Sequence, residues 1–300
     1  MTITLFESFR AVFYAPFYAA HALDAYREEG VDVALETATD PAATASGLLS
    51  GEADVSWGGP MRILLTYDRD PTCGLVAFCE VVTRDPFFVV GRQPRPDFRI
   101  ADLIGSRVGT VSEVPTPWIC LQDDLRRAGL DPAALDRVTD QSMADNAASL
   151  RDGDLDAVQL FQPFAEQLVG SGAGHIWYAA ASRGPTSYTT FYTTKQNLAD
   201  RRETFLAMTR AIQRTLDWVH ASDAATIAET IAGFFPDLDP DTLTACVRRY
   251  QTLGIWGRNP ILPKAGFERL KAACLSGGLI ERGADYDDCV DNSLAVAVGR

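Results

Sequence analysis

Leu48-Leu49-Ser50-Gly51-Glu52-Ala53-Asp54-Val55-Ser56-Trp57-Gly58-Gly59-Pro60 is written a second time in this chain as Leu150-Arg151-Asp152-Gly153-Asp154-Leu155-Asp156-Ala157-Val158-Gln159-Leu160-Phe161-Gln162-Pro163. In both copies a leucine is followed three residues on by Gly, then by an acid, an apolar residue, an Asp and a short apolar run. Gly153 stands 102 residues after Gly51, and a proline follows nine residues after the first Gly and ten after the second. One physical reading covers both. A helix ends at the Gly, which accepts the left-handed cap conformation without a Cβ penalty. The Asp opens a short buried strand, whose loop feeds a helix started by proline. Two such α/β units, about 100 residues apart, predict two lobes of one architecture.

Length and composition bound the rest. The 300 residues can bury a large core, most economically as two domains. With 40 acids against 27 Lys and Arg, the net charge of −13 argues against a nucleic-acid partner, which selects a basic face. No apolar run approaches the ~18–20 residues that would cross a bilayer, so no membrane insertion is expected. Thr2-Ile3-Thr4-Leu5-Phe6 already alternates as a strand, which predicts no signal peptide and a cytoplasmic protein as written; a removed export signal or a misannotated start would make it periplasmic or cell-surface. The six cysteines lack metal or disulfide spacing, and only three His are present. Free buried thiols are expected, and no metal.

Along the chain, a strand at 2–7 runs into an aromatic loop and then a helix from Pro16. Val31–Leu35 is the second strand, and Met61–Tyr67 a helix that Asp70-Pro71 breaks. Two apolar β-favouring runs, Leu75–Val82 and Phe87–Val90, flank Arg84-Asp85-Pro86, read as a hinge. A helix follows Thr116-Pro117-Trp118 and ends at Gly129, and Ser187–Thr194 is a β-rich return to the first lobe. The remainder is helical: 203–221, 224–234, 240–253 and 264–276, with apolar residues recurring at three and four. The expected lobes are therefore 1–85 plus 190–300 (lobe I) and 86–189 (lobe II).

Pro16, Pro60, Pro117 and Pro163 each start a helix directly after a strand and its loop. In a parallel sheet these junctions lie at the carboxyl ends of strands, where open α/β sheets bind ligands. Two per lobe would face a common crevice, and their helix N-termini suit a carboxylate, sulfonate or similar anion. The loops carry Phe13, Tyr14, Trp57, Trp118 and Phe161, with Tyr188 on the return strand; each is a stacking face for a ligand or else core. Trp57 precedes Gly58 and Gly59, which permit close backbone approach and favour a pocket wall. The candidate polar anchors are Ser8, Arg10, Arg62, Glu80, Ser112, Thr116, Gln159, Gln162 and Thr189. Arg10 would grip an anion with its guanidinium or form a surface ion pair. Gln162 would face the crevice or cap the next helix. No nucleophile elbow, phosphate loop or dinucleotide fingerprint is present, and no cysteine has a histidine beside it in sequence, so no catalytic residue is assigned.

These residues carry a resemblance. The aromatic loop with Ala15-Pro16, Leu48…Gly51-Glu52-Ala53-Asp54-Val55, Asp102-Leu103…Gly105-Ser106-Arg107-Val108-Gly109 and Gly153…Asp156-Ala157 resemble the NMT1/THI5-like and SsuA-like solute-binding proteins over most of residues 2–230. That resemblance implies a periplasmic-binding-protein type II fold, two α/β lobes around a ligand cleft. It also implies a small-molecule ligand of the sulfonate, nitrate or thiamine-pyrimidine-precursor class, delivery to an ABC transporter permease, and no cofactor. Two enzymes share the fold. The yeast-type pyrimidine synthase has a cysteine-rich run and uses pyridoxal phosphate; no such run stands here. The 2′-hydroxybiphenyl-2-sulfinate desulfinase is similar at Gly58-Gly59, Phe87-Phe88-Val89 and Asn292-Ser293-Leu294. Its catalytic arginine has no counterpart at Ser56-Trp57, and its nucleophilic cysteine none within Ser8 to Tyr14. A cytoplasmic enzyme on this scaffold stays as the alternative to a binding protein.

Overall fold

The computed structural model describes residues 2–299. Among the described residues ten strands form two five-stranded sheets. β1 (Thr2–Glu7), β2 (Asp32–Thr37), β3 (Val55–Gly58) and β4 (Leu75–Val82) belong to the first; β5 (Phe88–Gly91) lies in the second with β6 (Arg107–Gly109), β7 (Asp136–Val138), β8 (Ala157–Leu160) and β9 (His175–Ala179). β10 (Thr189–Thr194) returns to the first sheet.

The sheet orders are β2-β1-β3-β10-β4 and β7-β6-β8-β5-β9. The same plan is used twice: a strand pairs in parallel with its two neighbours, and the fourth position is an antiparallel strand that has crossed from the other half. The crossing segments, 83–87 and 184–188, run side by side, with Thr186 N donating to Thr83 O at 2.9 Å. β3, β4, β5 and β8 are buried along their whole length, as expected of strands covered on both faces.

The repeated stretch folds as its chemistry dictates. Gly51 and Gly153 end the helices Ala43–Ser50 and Met143–Asp152 at φ of 80° and 88°, a conformation that would strain any residue with a Cβ. Asp54 and Asp156 then precede β3 and β8 directly. The four prolines all open helices: Pro16 and Pro117 lie in the first turns of Ala15–Ala22 and Thr116–Arg127, and Pro60 and Pro163 directly precede Met61–Arg69 and Phe164–Gly170.

The C-terminal helices are shared between the lobes. Helix Pro240–Leu253 carries Tyr250, whose ring stacks on Phe88 of β5 at 6.0 Å and meets Phe13 edge-on at 6.5 Å. Helix Lys264–Ser276 packs its Leu270, Ala273 and Cys274 in one cluster with Ile119 and Cys120 of helix Thr116–Arg127. The largest apolar cluster accordingly runs through both lobes, from Leu5, Val55 and Phe78 to Val90, Val158 and Leu160.

Candidate functional site

The four proline-led junctions sit at the carboxyl ends of β1, β3, β6 and β8, and the aromatic side chains of those after β1, β3 and β8 meet. Phe9, after β1, stacks on Phe161, after β8, with centroids 5.9 Å apart and planes at 11°. Phe13 meets Phe161 edge-on at 5.5 Å, Phe87 of the crossing segment meets it at 5.2 Å, and Tyr188 lies 6.1 Å from both Phe13 and Phe87. One loop of each lobe and both crossing segments therefore share an aromatic wall. Edge-to-face pairs of this kind contribute about 0.5–1.5 kcal/mol each beyond area burial.

A polar group lies beside that wall in lobe I. Gly58 is surrounded by the Tyr192 ring, Ser8 Oγ and Arg62 Nε; a Cβ there would lie 3.3, 3.4 and 3.6 Å from them, tight only against Tyr192. Gly59 gives room to the return strand, its missing Cβ lying 3.2 Å from Tyr188 O. Burial pushes the pKa of the Tyr14 hydroxyl upward, and the Arg62 charge opposes that shift. Among the described residues Arg62 forms no ion pair with an acid, in a chain carrying 40 of them. It is half-buried at the first turn of its helix, which makes it a donor available to an anion.

Trp57 is fully buried, stacked on Phe17 at 4.6 Å and edge-on to Tyr18 at 5.6 Å, but its indole Nε1 has no hydrogen-bond partner. Thr189 Oγ1 and Gln159 Oε1 are likewise buried and unpartnered. Gln159 donates through Nε2 to Pro117 O at 2.8 Å, which places it at the mouth of helix Thr116–Arg127.

The other candidates have different engagements. Arg10 donates from Nε and Nη2 to Glu7 Oε1, at 3.0 and 2.6 Å, and lies over the rings of Tyr18 and Phe234. Glu7 also accepts from Tyr18 and Thr37, so Arg10 neutralises a buried carboxylate and does not form the surface ion pair of the sequence reading. Gln162 caps its helix: Glu166 N donates to Gln162 Oε1 at 2.9 Å. Glu80 is buried on β4, accepting from Ser187 Oγ, and burial pushes its carboxyl up to about 8. Ser112 is exposed and donates to Gln141 O at 2.8 Å. Thr116 is buried at the start of its helix. Trp118 lies beneath the Arg137 guanidinium at 3.9 Å, packed on the third apolar cluster. These last four are not brought into the Phe13–Trp57–Arg62 group.

Several participants escape a reading of sequence. Tyr250 OH accepts from Gln162 N at 3.1 Å and donates to Pro86 O at 3.2 Å, and Trp256 Nε1 donates to Phe13 O at 2.8 Å. Tyr250 falls in the apolar stripe Leu243, Cys246, Val247, Tyr250, which announces packing without saying against which lobe. At the crossing segments Arg183 bonds Asp85 at 2.8 Å and both oxygens of Asp124, at 2.8 and 2.5 Å; all three are largely buried. Arg183 and Asp85 are 98 residues apart, beyond any local signal.

Burial raises the pKa of all six thiols, which leaves them poor nucleophiles at neutral pH. Among the described residues no group of His, Cys, Asp and Glu could hold a metal ion, and no helix is long and apolar enough to cross a membrane.

The profile of the NMT1/THI5-like family matches residues 13–225. YtlA of Bacillus subtilis (strain 168), named as a binding protein, is 26% identical over 299 residues, covering 97% of this chain and 88% of YtlA. The periplasmic aliphatic sulphonate binding protein SsuA from Escherichia coli superposes with a TM-score of 0.79 at 14% identity, over 98% of this chain and 99% of SsuA. The enzyme DszB, in complex with biphenyl-2-sulfinic acid, superposes at 0.71 with 14% identity, over 99% and 98%. At such identities the structural likeness is one of fold: two α/β lobes of the periplasmic-binding-protein kind.

Proposed function

The chain belongs to the NMT1/THI5-like family, and we propose that it is a solute-binding protein whose two lobes close on a small aromatic or anionic metabolite of the sulfonate, carboxylate or thiamine-pyrimidine-precursor class. The lobes are 1–85 with 190–300, and 86–189, hinged at the crossing segments. Aromatic rings of both lobes enclose the ligand body, and Arg62, with Ser8 and Tyr14 beside it, receives the acidic head. An ABC permease is the recipient, and the periplasm or cell surface the compartment. The observation that carries this reading is Arg62: a half-buried guanidinium without an acid partner among the described residues, after the carboxyl end of β3 and near the aromatic wall.

A thermal-shift screen of benzenesulfonate, benzoate and simple pyrimidines tests it. Binding to the folded state at 100 times Kd stabilises by about 2.7 kcal/mol, a readily measured shift. Benzenesulfonate or benzoate should raise Tm in the wild type and lose that effect in Arg62→Gln. No shift with any probe, or equal shifts in the variant, would overturn the site. Probe recovered chemically unchanged supports binding; turnover would transfer the chain to the enzyme reading.

A further inference from the structure

Among the described residues six buried polar atoms lack partners, on His21, Tyr26, Trp57, Asn146, Gln159 and Thr189; of these the Trp57 indole can only donate, and the Asn146 and Gln159 amide oxygens can only accept. Trp57 and Gln159 occupy the same place in the two copies of the repeat, each the third residue of its strand, 102 positions apart. Each packs against the helix that follows the first strand of its lobe, Trp57 on Phe17 and Tyr18, Gln159 on Pro117. Each keeps one buried atom unpaired: an indole N–H, which only donates, in lobe I, and an amide oxygen, which only accepts, in lobe II.

Phe191 of β10 is the cross-strand partner of Trp57, and Thr189, two residues before it at the start of β10, has a buried, unpaired hydroxyl that can donate or accept. In lobe II, Asn146 also has an unpaired carbonyl oxygen, but it is packed against the backbone of Gly109 in β6. The amide orientations are fixed, because Gln159 Nε2 donates to Pro117 O at 2.8 Å and Asn146 Nδ2 to Thr110 O at 3.2 Å, and only an NH2 can face a carbonyl. Both backbone carbonyls lie where β6 gives way to its helix. Buried groups of this kind take partners wherever one is offered.

We propose that the ligand is bipolar, with an anionic or acceptor end held by Trp57 of β3, Arg62 of the helix after it and Thr189 of β10, and an N–H or O–H donor end received in lobe II by Gln159. This rests on the crevice being the ligand site and adds to it a requirement for a donor. Lobe I then selects the acid, and lobe II closes only on molecules that carry a donor.

Matched probe pairs test the requirement: benzenesulfonate against 4-aminobenzenesulfonate, and benzoate against 4-hydroxybenzoate, titrated calorimetrically. The donor-bearing member should bind the wild type about tenfold more tightly. Gln159→Met should abolish that ratio by weakening only the donor-bearing probe, and Gln159→Glu, which keeps acceptor oxygens, should retain it. Trp57→Phe should weaken both members equally. Equal wild-type affinities within each pair would overturn the donor requirement while leaving the ligand site standing. Binding by no probe would overturn both. Should Gln159→Met fail to fold, the wild-type ratio decides alone.

Discussion

Asp54 and Thr4 hold each other by two hydrogen bonds: Thr4 N donates to Asp54 Oδ2 at 2.8 Å, and Asp54 N donates to Thr4 O at 3.0 Å. Asp156 and Arg107 do the same in the other lobe, each bond 2.9 Å. The acid of the repeat thus registers β3 on β1 and β8 on β6 before the ladder begins. The copies differ in what surrounds them. Asp54 is also paired with Arg201 at 2.6 Å, whereas Asp156 is half exposed and 3.8 Å from Arg92.

Asp54→Ala should therefore cost more than Asp156→Ala. Removing a charged acceptor and stranding a partly buried guanidinium costs about 2–3 kcal/mol, while the exposed copy should lose about 1 kcal/mol or less. Urea unfolding of the two variants checks the order, and equal losses would refute the argument.

The parts of this fold legible in sequence are those set by one or two adjacent residues. Gly51 and Gly153 end helices because of their own φ, and Pro16, Pro60, Pro117 and Pro163 start them because of theirs. The exchange of antiparallel strands is not local: nothing in Phe88–Gly91 says that it pairs with Ala157–Leu160 and with β9. The same holds within the site. Trp57 reads as a pocket wall because Gly58 follows it, yet its ring is stacked into the core and only Nε1 stays unsatisfied. Tyr250 meets Gln162 and Pro86, and Arg183 meets Asp85 and Asp124, through tertiary packing alone.

Arg10 and Arg62 should separate cleanly on substitution. Arg10→Gln leaves Glu7 buried with only Tyr18 and Thr37 as donors, and a carboxylate deprived of its counter-charge costs about 2–4 kcal/mol. Arg62→Gln removes no ion pair and should change stability by less than about 0.5 kcal/mol while weakening anion binding at least tenfold. A melting curve and one titration per variant suffice. The reverse assignment of stability and binding losses would place the anion site at Arg10.

Tyr250→Phe deletes one hydroxyl and leaves Gln162 N–H and Pro86 C=O unpaired in a buried setting. If the lobes open, water satisfies both groups, so the penalty falls on the closed form. Ligand affinity should drop by about tenfold through faster release, with the ligand-free Tm changed by no more than ~2 °C. Stopped-flow release and thermal melts measure the two effects, and a large loss of ligand-free Tm with unaltered affinity would make Tyr250 a packing residue only.

Glu80 makes stability depend on pH in a stated direction. Desolvation lifts its carboxyl from an ordinary 4.5 to about 8, with Ser187 Oγ bonded to it and Cys79 and Tyr286 as the titratable neighbours. The folded state keeps the proton where the unfolded chain releases it. Its contribution is then fully present below about pH 4.5, declines through the interval to about pH 8, and is lost above it. Within that window the slope is on the order of 1 kcal/mol per pH unit. Glu80→Gln keeps the contact with Ser187 but cannot ionise, so its advantage over the wild type should grow from nothing near pH 4.5 to a few kcal/mol at pH 8. His21, whose burial lowers its pKa to about 4, tilts the absolute curve of both proteins the opposite way and cancels in the difference. Denaturant midpoints for the pair between pH 4.5 and 8.5 provide the measurement; parallel curves would mean that Glu80 is ionised in the folded protein, which requires a counter-charge on that face of sheet I.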